Sequence, residues 1–133
     1  QQLKVNQELV EKRKQLKNSM YTYKAKVVRV VDGDTIDALI DLGFDIHKKI
    51  RIRMVGMNAP ESRTRDLEEK KRGLAAKARL KEILKEGKNK FILDSQGVGQ
   101  YGRCLAIIKV NDINVNQQLI EEGHATVYFG GKR

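Results

Sequence analysis

The chain has 133 residues, enough for one domain with a modest core, and its 40% hydrophobic and 33% charged residues with a single proline exclude a disordered segment. A formal net charge of +10 and a pI of about 9.8 favour a polyanionic partner, nucleic acid ahead of an anionic membrane surface, with plain solubility as the uneventful alternative. One cysteine and two histidines exclude an internal disulfide and, in practice, a Cys/His zinc site, so any chemistry falls to carboxylates, arginines and a hard metal.

In chain order, residues 1–19 stand apart. Leu3, Leu9, Val10 and Leu16 are spaced widely among polar residues, and Leu9 and Leu16 fit one side of a thin amphipathic helix. This segment is expected to be a helical extension, a partner helix or a linker, with residues 20–133 forming the domain. From Tyr21 the pattern is that of a strand, alternating over residues 23–27 and then valine-rich over residues 28–31. Asp32-Gly33-Asp34 signals a hairpin turn. Ile36, Ala38 and Ile40 alternate as a second strand, and Ile50, Ile52 and Met54 as a third. The period of two puts Arg51 and Arg53 on the face opposite those three apolar residues.

Pro60 breaks the pattern, and Asp66 or the residues just before it are placed to cap a helix. Leu67, Leu74, Ala75, Ala78, Leu80, Ile83 and Leu84 give that helix its apolar side, Lys70, Lys71, Arg72, Lys77, Arg79, Lys81 and Lys85 its wet face, and Gly87 its stop. Residues 91–93 and 105–110 read as the fourth and fifth strands, with a Gly-rich link between them. Asn111-Asp112 is a turn, Val115, Leu119 and Ile120 mark a short helix ending at Gly123, and residues 125–129 are extended. Cys104 reads as a structural thiol, and His47 and His124 as surface or packing residues. The order is not the regular alternation of a doubly wound sheet. It suits a mainly β, α+β fold: a five-stranded barrel of the oligonucleotide/oligosaccharide-binding (OB) type, with one helix between strands three and four and a short C-terminal helix.

The acidic turn at Asp32-Gly33-Asp34, Arg53, Glu61 behind Pro60, and Arg103 after Gln100-Tyr101-Gly102 form one constellation. Carboxylates can hold a hard cation, and two guanidiniums can fork onto a phosphate. That combination fits phosphodiester hydrolysis, in which charge on the phosphoryl oxygens must be relieved and a water oriented. Each residue also has a plainer use: a hairpin turn, a solvated strand arginine, a surface glutamate. Their conjunction favours one phosphate site.

Three segments carry a family resemblance: residues 31–35 (VDGDT), Arg53 through Glu61, and residues 101–106 (YGRCLA). From about Tyr23 to Phe129 the chain resembles the staphylococcal nuclease (thermonuclease) family. The resemblance implies a calcium-dependent nuclease acting on DNA and RNA with little sequence preference and leaving 3′-phosphate ends. It implies that Asp34 binds the metal, that Arg53 and Arg103 clamp the phosphate, that Glu61 acts on the attacking water, and that Tyr101 lies beside the substrate. Asn58 and Ala59 stand where the family has an aspartate and a threonine. Asn58 keeps a side-chain oxygen and Ala59 its carbonyl, so one divalent cation is expected with weaker affinity. Gln100 replaces a lysine and removes a phosphate contact. Tyr128 and Phe129 can stack on a base or seal the barrel end.

The expected partners are DNA and RNA, with no membrane partner. The chain is expected to be a monomer, the N-terminal segment being available for self-association. No apolar run is long enough to cross a bilayer and no secretory signal is visible. An opening on Gln1 is expected of a processed or trimmed fragment, so intracellular and secreted settings both stay open. A catalytically weak nucleic-acid-binding module, hinted at by Asn58, is the alternative function, and a protein-interaction domain the third.

Overall fold

The computed structural model describes residues 21–99 and 102–128. Ten elements follow one another: β1 (Thr22–Asp32), β2 (Thr35–Asp41), β3 (His47–Met54), β4 (Met57–Asn58), α1 (Leu67–Glu86), β5 (Lys90–Val98), β6 (Cys104–Val110), β7 (Ile113–Asn114), α2 (Val115–Glu121) and β8 (Thr126–Val127). The main sheet runs β3-β2-β1-β5-β6-β7, and a parallel pairing of β3 with β6 closes β1, β2, β3, β5 and β6 into the expected five-stranded barrel. The helix expected between the third and fourth barrel strands is α1, and the short C-terminal helix is α2. The expected N-terminal helix lies outside the described residues.

Closure depends on β1. It pairs with β2 through residues 24–32 and with β5 through residues 22–26, with register shifts near Val27/Arg29 and Val30/Asp32. Such bulges sharpen twist and let one strand serve both sides of a curled sheet. They also turn Val30 and Val31 inward together, where strict alternation would expose one of them. The core is aliphatic: Ile36, Ile40, Ile52, Met54, Leu93 and Ile108 fill the barrel, and Leu80, Ile83 and Leu84 of α1 close over it. Each such side chain contributes about 1.5–3 kcal/mol by leaving water. Among the described residues, no helix is long and apolar enough to cross a membrane.

The Asp66 carboxylate accepts hydrogen bonds from the Glu68 and Glu69 N–H groups at 3.0 and 3.3 Å, which caps α1 as expected. The buried stripe of this helix differs from expectation. Gly73, Ala76, Leu80, Ile83 and Leu84 face inward, whereas Leu67, Leu74, Ala75 and Ala78 are exposed, Leu67 at 80%. The first half of α1 lies so close to the barrel that only small residues fit beneath it. A Cβ on Gly33 of the β1–β2 turn would sit 2.7 Å from the Ala76 Cβ. Arg79 is also not purely solvated: its Nε and Nη2 donate to Glu122 at 2.6 and 3.0 Å, fastening α1 to the end of α2.

Strand β5 is longer than expected and takes up the start of the Gly-rich link, with a register shift between Ser95 and Gly97. Asn111 and Asp112 form the expected turn, both at positive φ. The expected C-terminal extended piece becomes β8, which pairs with β4: Met57 opposite Val127 and Asn58 opposite Thr126.

Candidate functional site

The site is built where the β1–β2 turn, the end of β3 and the β4 segment meet. Thr35 and Arg53 are direct partners across β2 and β3, and the Asp34 carbonyl accepts the Met54 N–H at 2.8 Å. The turn therefore stands over the end of β3. Asp34 is 5% exposed; its Oδ1 accepts the Thr35 hydroxyl at 2.9 Å and its Oδ2 the Ala59 N–H at 3.0 Å. The carboxylate thus holds its own strand and the loop ahead of Glu61 in one geometry.

Arg53 obeys the alternation that places it opposite Ile52 and Met54, yet it is buried at 8% exposure. Its Nη1 donates to the Met54 carbonyl at 2.9 Å and lies 3.4 Å from Asp34 Oδ2, while Nη2 reaches Asn58 Oδ1 at 3.3 Å. Arg51, two residues earlier, is solvent-facing and pairs with Asp37 at 2.8 Å. The difference between the two arginines is the cover that the hairpin turn and β4 place over Arg53 alone.

Asp34 Oδ2 and Asn58 Oδ1 converge on one guanidinium. Hard oxygens meeting at one locus are the donor class of calcium, so these residues fit a hard divalent cation in kind, with a single carboxylate charge between them. Among the described residues no three His, Cys, Asp or Glu side chains cluster as ligands; the set would be completed by main-chain carbonyls and water. Ala59, expected to contribute its carbonyl, meets Asp34 through its N–H.

Glu61 is exposed and lines a cleft with Asn58, Pro60, Arg72 and His124. Three contacts that the sequence did not announce fix its loop. Asp32 Oδ1 accepts both the Ser62 hydroxyl and the Ser62 N–H, and Ser62 is 5% exposed. Gly73 of α1 lies against the Glu61 main chain: a Cβ there would meet the Glu61 carbonyl oxygen at 2.3 Å. The C-terminal segment pins β4 from the other side, with the Tyr128 N–H donating to the Gly56 carbonyl at 3.0 Å. Tyr128, expected beside the substrate, is therefore held at the β3–β4 turn and is half-buried.

Arg103 immediately precedes Cys104, which is paired with Ile52 in the parallel seam, while Leu105 is paired with Arg53. By that register Arg103 enters the seam at the level of Arg51, two residues before Arg53 on the adjacent strand. It lines a second cleft with Asp32, Thr35 and Arg51. Asp32 and Thr35 flank Asp34, so the two clefts open on either side of one turn. The half-buried Cys104 thiol is pushed up from its ordinary pKa by burial, as a structural thiol would be. Gln100 and Tyr101 lie outside the described residues.

Asn116 of α2 is buried and bridges the scaffold: Nδ2 donates to the Val55 and Ala106 carbonyls at 2.8 and 3.1 Å, and Oδ1 accepts the Ile108 N–H at 3.1 Å. Sequence reading found no signal for it, because an asparagine early in a short amphipathic helix looks like any polar surface position.

A family model described as "Staphylococcal nuclease homologue" matches residues 51–133. Similar proteins include "Protein ParB" of Escherichia coli, 31% identical over 119 residues, covering 82% of this chain and 60% of the relative. "Thermonuclease" of Staphylococcus hyicus is 33% identical over 104 residues, covering 78% and 59%. "Endonuclease YhcR" of Bacillus subtilis is 33% identical over 114 residues, covering 80% of this chain but 9% of that protein. The chain thus spans about three fifths of the first two relatives and a small part of the third.

Proposed function

The chain belongs to the family of staphylococcal nuclease homologues, and from that premise we propose that it is a nuclease that hydrolyses phosphodiester bonds of DNA and RNA, depends on calcium and leaves 3′-phosphate ends. The domain is residues 20–133, with residues 1–19 an extension to it. The observation that carries this reading is the convergence of Asp34 and Asn58 on the Arg53 guanidinium.

The residues divide the work by their chemistry. Arg53 and Arg103 donate charge-assisted hydrogen bonds to the non-bridging phosphoryl oxygens, where charge grows in the trigonal-bipyramidal transition state. The buried Arg53 is oriented before substrate arrives by Met54, Asp34 and Asn58. Asp34, Asn58 and the Ala59 carbonyl would hold the cation; when bound, it supplies Lewis-acid polarisation of a phosphoryl oxygen. Glu61 orients the attacking water and takes its proton, aimed by Pro60 on one side and by the Asp32–Ser62 clamp on the other. Tyr101, Gln100 and Tyr128 contact the substrate beside the scissile ester. A nucleic-acid-binding module without turnover is the second reading, favoured by Asn58 standing where a second carboxylate would strengthen the metal site.

A calcium titration of cleavage against DNA and RNA separates the two, with a chelator and Glu61→Gln as controls. Cleavage that rises with calcium, stops with chelator and falls by orders of magnitude in Glu61→Gln is the expected result. Intact substrate at every calcium level, with binding retained, would overturn it in favour of the binding module.

A further inference from the structure

The outer face of the barrel carries a charge pattern that the fold does not use, and of its residues only Lys49 also lines the cleft of Arg103. Strand register assembles two neighbouring rows of outward side chains. One crosses β3, β2, β1 and β5 as Lys49, Leu39, Lys26 and Lys90. The other crosses β3, β2, β1, β5 and β6 as His47, Asp41, Lys24, Ile92 and Lys109. All nine residues are exposed. Five are lysines drawn from four strands, and none of the five makes a salt bridge among the described residues. The one acid in the two rows, Asp41, turns its Oδ1 to the Gly43 N–H at 2.8 Å.

Lys26 and Lys90 are direct cross-strand partners. Like charges in that relation oppose sheet formation. One step along the same face the fold does the reverse. Asp37 stands between Arg29 and Arg51 and accepts two hydrogen bonds from Arg51, which holds its carboxyl below the usual range. Outward charge is neutralised there, whereas in the two rows five lysines face the single carboxylate of Asp41, the cross-strand partner of Lys24. A groove of about 620 Å³ runs over this surface, its charged lining four lysines, Lys24, Lys26, Lys90 and Lys109, against one acid, Asp41. Along β3 the same face continues through Lys49, Arg51 and Arg53 at steps of about 6.6 Å, so it leads to the buried arginine.

We propose that this face is a non-catalytic anchoring site for the sugar–phosphate backbone of single-stranded nucleic acid. The path from Lys49 to Lys90 crosses three interstrand gaps of about 4.8 Å, or about 14 Å. That length places the three lysines of the row, Lys49, Lys26 and Lys90, along the backbone of a short single-stranded segment. Leu39 and Ile92 give sugars and bases apolar surface between the ammonium groups. The binding claim stands on the charge pattern alone; only the claim that the anchored strand is also cleaved rests on the nuclease assignment.

The test compares the parent with a variant carrying Lys24→Gln, Lys26→Gln, Lys90→Gln and Lys109→Gln. Binding of a fluorescent single-stranded 20-mer is followed by anisotropy in chelator, between low and moderate salt. Four lost phosphate contacts should weaken affinity at least about tenfold at low salt and flatten the slope of log K against log salt by about 2–3. With calcium, KM for the 20-mer should rise while turnover of a dinucleotide-sized ester stays at the parent value. The variant's Tm should equal or exceed the parent's, because the Lys26–Lys90 repulsion is gone. Unchanged affinity and salt slope would overturn the proposal. So would a lower Tm, which would make the lysines structural, or a loss confined to binding of phosphatidylserine vesicles, which would make the face a membrane surface. If neither protein cleaves any substrate but the 20-mer binding differs as stated, the nuclease assignment falls and the anchoring site is upheld.

Discussion

Gly73→Ala separates helix stability from the aim of Glu61. In an unobstructed helix interior, replacing glycine by alanine raises stability by about 1 kcal/mol. Here the added Cβ would lie 2.3 Å from the Glu61 carbonyl oxygen, 2.4 Å from its carbon and 2.7 Å from the Ser62 nitrogen. These are main-chain atoms that no rotamer change can move. Restoring a carbon–oxygen separation of about 3.4 Å requires the loop to retreat by roughly 1 Å. Overpacking of this kind costs about 1–3 kcal/mol, which offsets the helical gain and leaves a net loss of about 0–2 kcal/mol. The effect on catalysis should be larger, since a misplacement of about 1 Å in a catalytic group costs on the order of 100-fold in rate. Paired measurements of urea unfolding and of kcat on single-stranded DNA would read both. A small change in stability with a hundredfold fall in kcat is expected. A more stable variant with parental kcat would refute the claim that Gly73 sets the position of Glu61.

Arg53→Gln leaves the Asp34 carboxylate buried without its cation, so denaturant unfolding should show a loss of about 3–5 kcal/mol, and Arg53→Lys should not restore cleavage because the fork geometry is gone. Asn116→Ala removes the partners of the Val55 carbonyl and the Ile108 N–H; at about 1–3 kcal/mol for each orphaned group, chemical unfolding should register about 2–6 kcal/mol. Glu122 is held down to about 2 by the Arg79 guanidinium. Its folded pKa lies below the unfolded value, so its contribution to stability is complete above about pH 4.5 and is lost as pH falls towards 2. The Tm difference between the parent and Glu122→Gln should therefore be present at neutral pH and vanish near pH 2. Asn58→Asp restores a second carboxylate, and the calcium concentration for half-maximal cleavage should fall about tenfold, equivalent to about 1.4 kcal/mol.

The barrel was legible in the sequence because its second and third strands alternate and the breaks after the first strand, the helix and the fifth strand carry turn or capping residues. Asp66 and Asn111-Asp112 mark the helix start and the tight turn without help from tertiary contacts. The buried side of α1 was misplaced, because apolarity was read as burial while the helix packs through Gly73 and Ala76. Closeness of approach, rather than hydrophobicity, selects those residues, and a single sequence carries no distance. Asp34, Arg53 and Asn58 were marked by residue type and order, and folding brings them together. The Asp32–Ser62 clamp, the Asn116 bridge and the β4–β8 pairing join segments distant in sequence, so local pattern could not reveal them. Equally, the lysine rows come from residues scattered between Lys24 and Lys109, and only strand register gathers them.

Glu61 and Arg103 line different clefts, on either side of the turn that holds Asp34, so a double-mutant cycle between them is the most direct test that they serve one phosphate. Single-turnover cleavage of one oligonucleotide would be measured for the parent, Glu61→Gln, Arg103→Gln and the double variant. Groups that act together on one transition state are strongly non-additive. The double variant should therefore cleave at close to the rate of the slower single variant. A double-variant defect equal to the product of the two single defects, or near-parental rates in both single variants, would contradict a shared site.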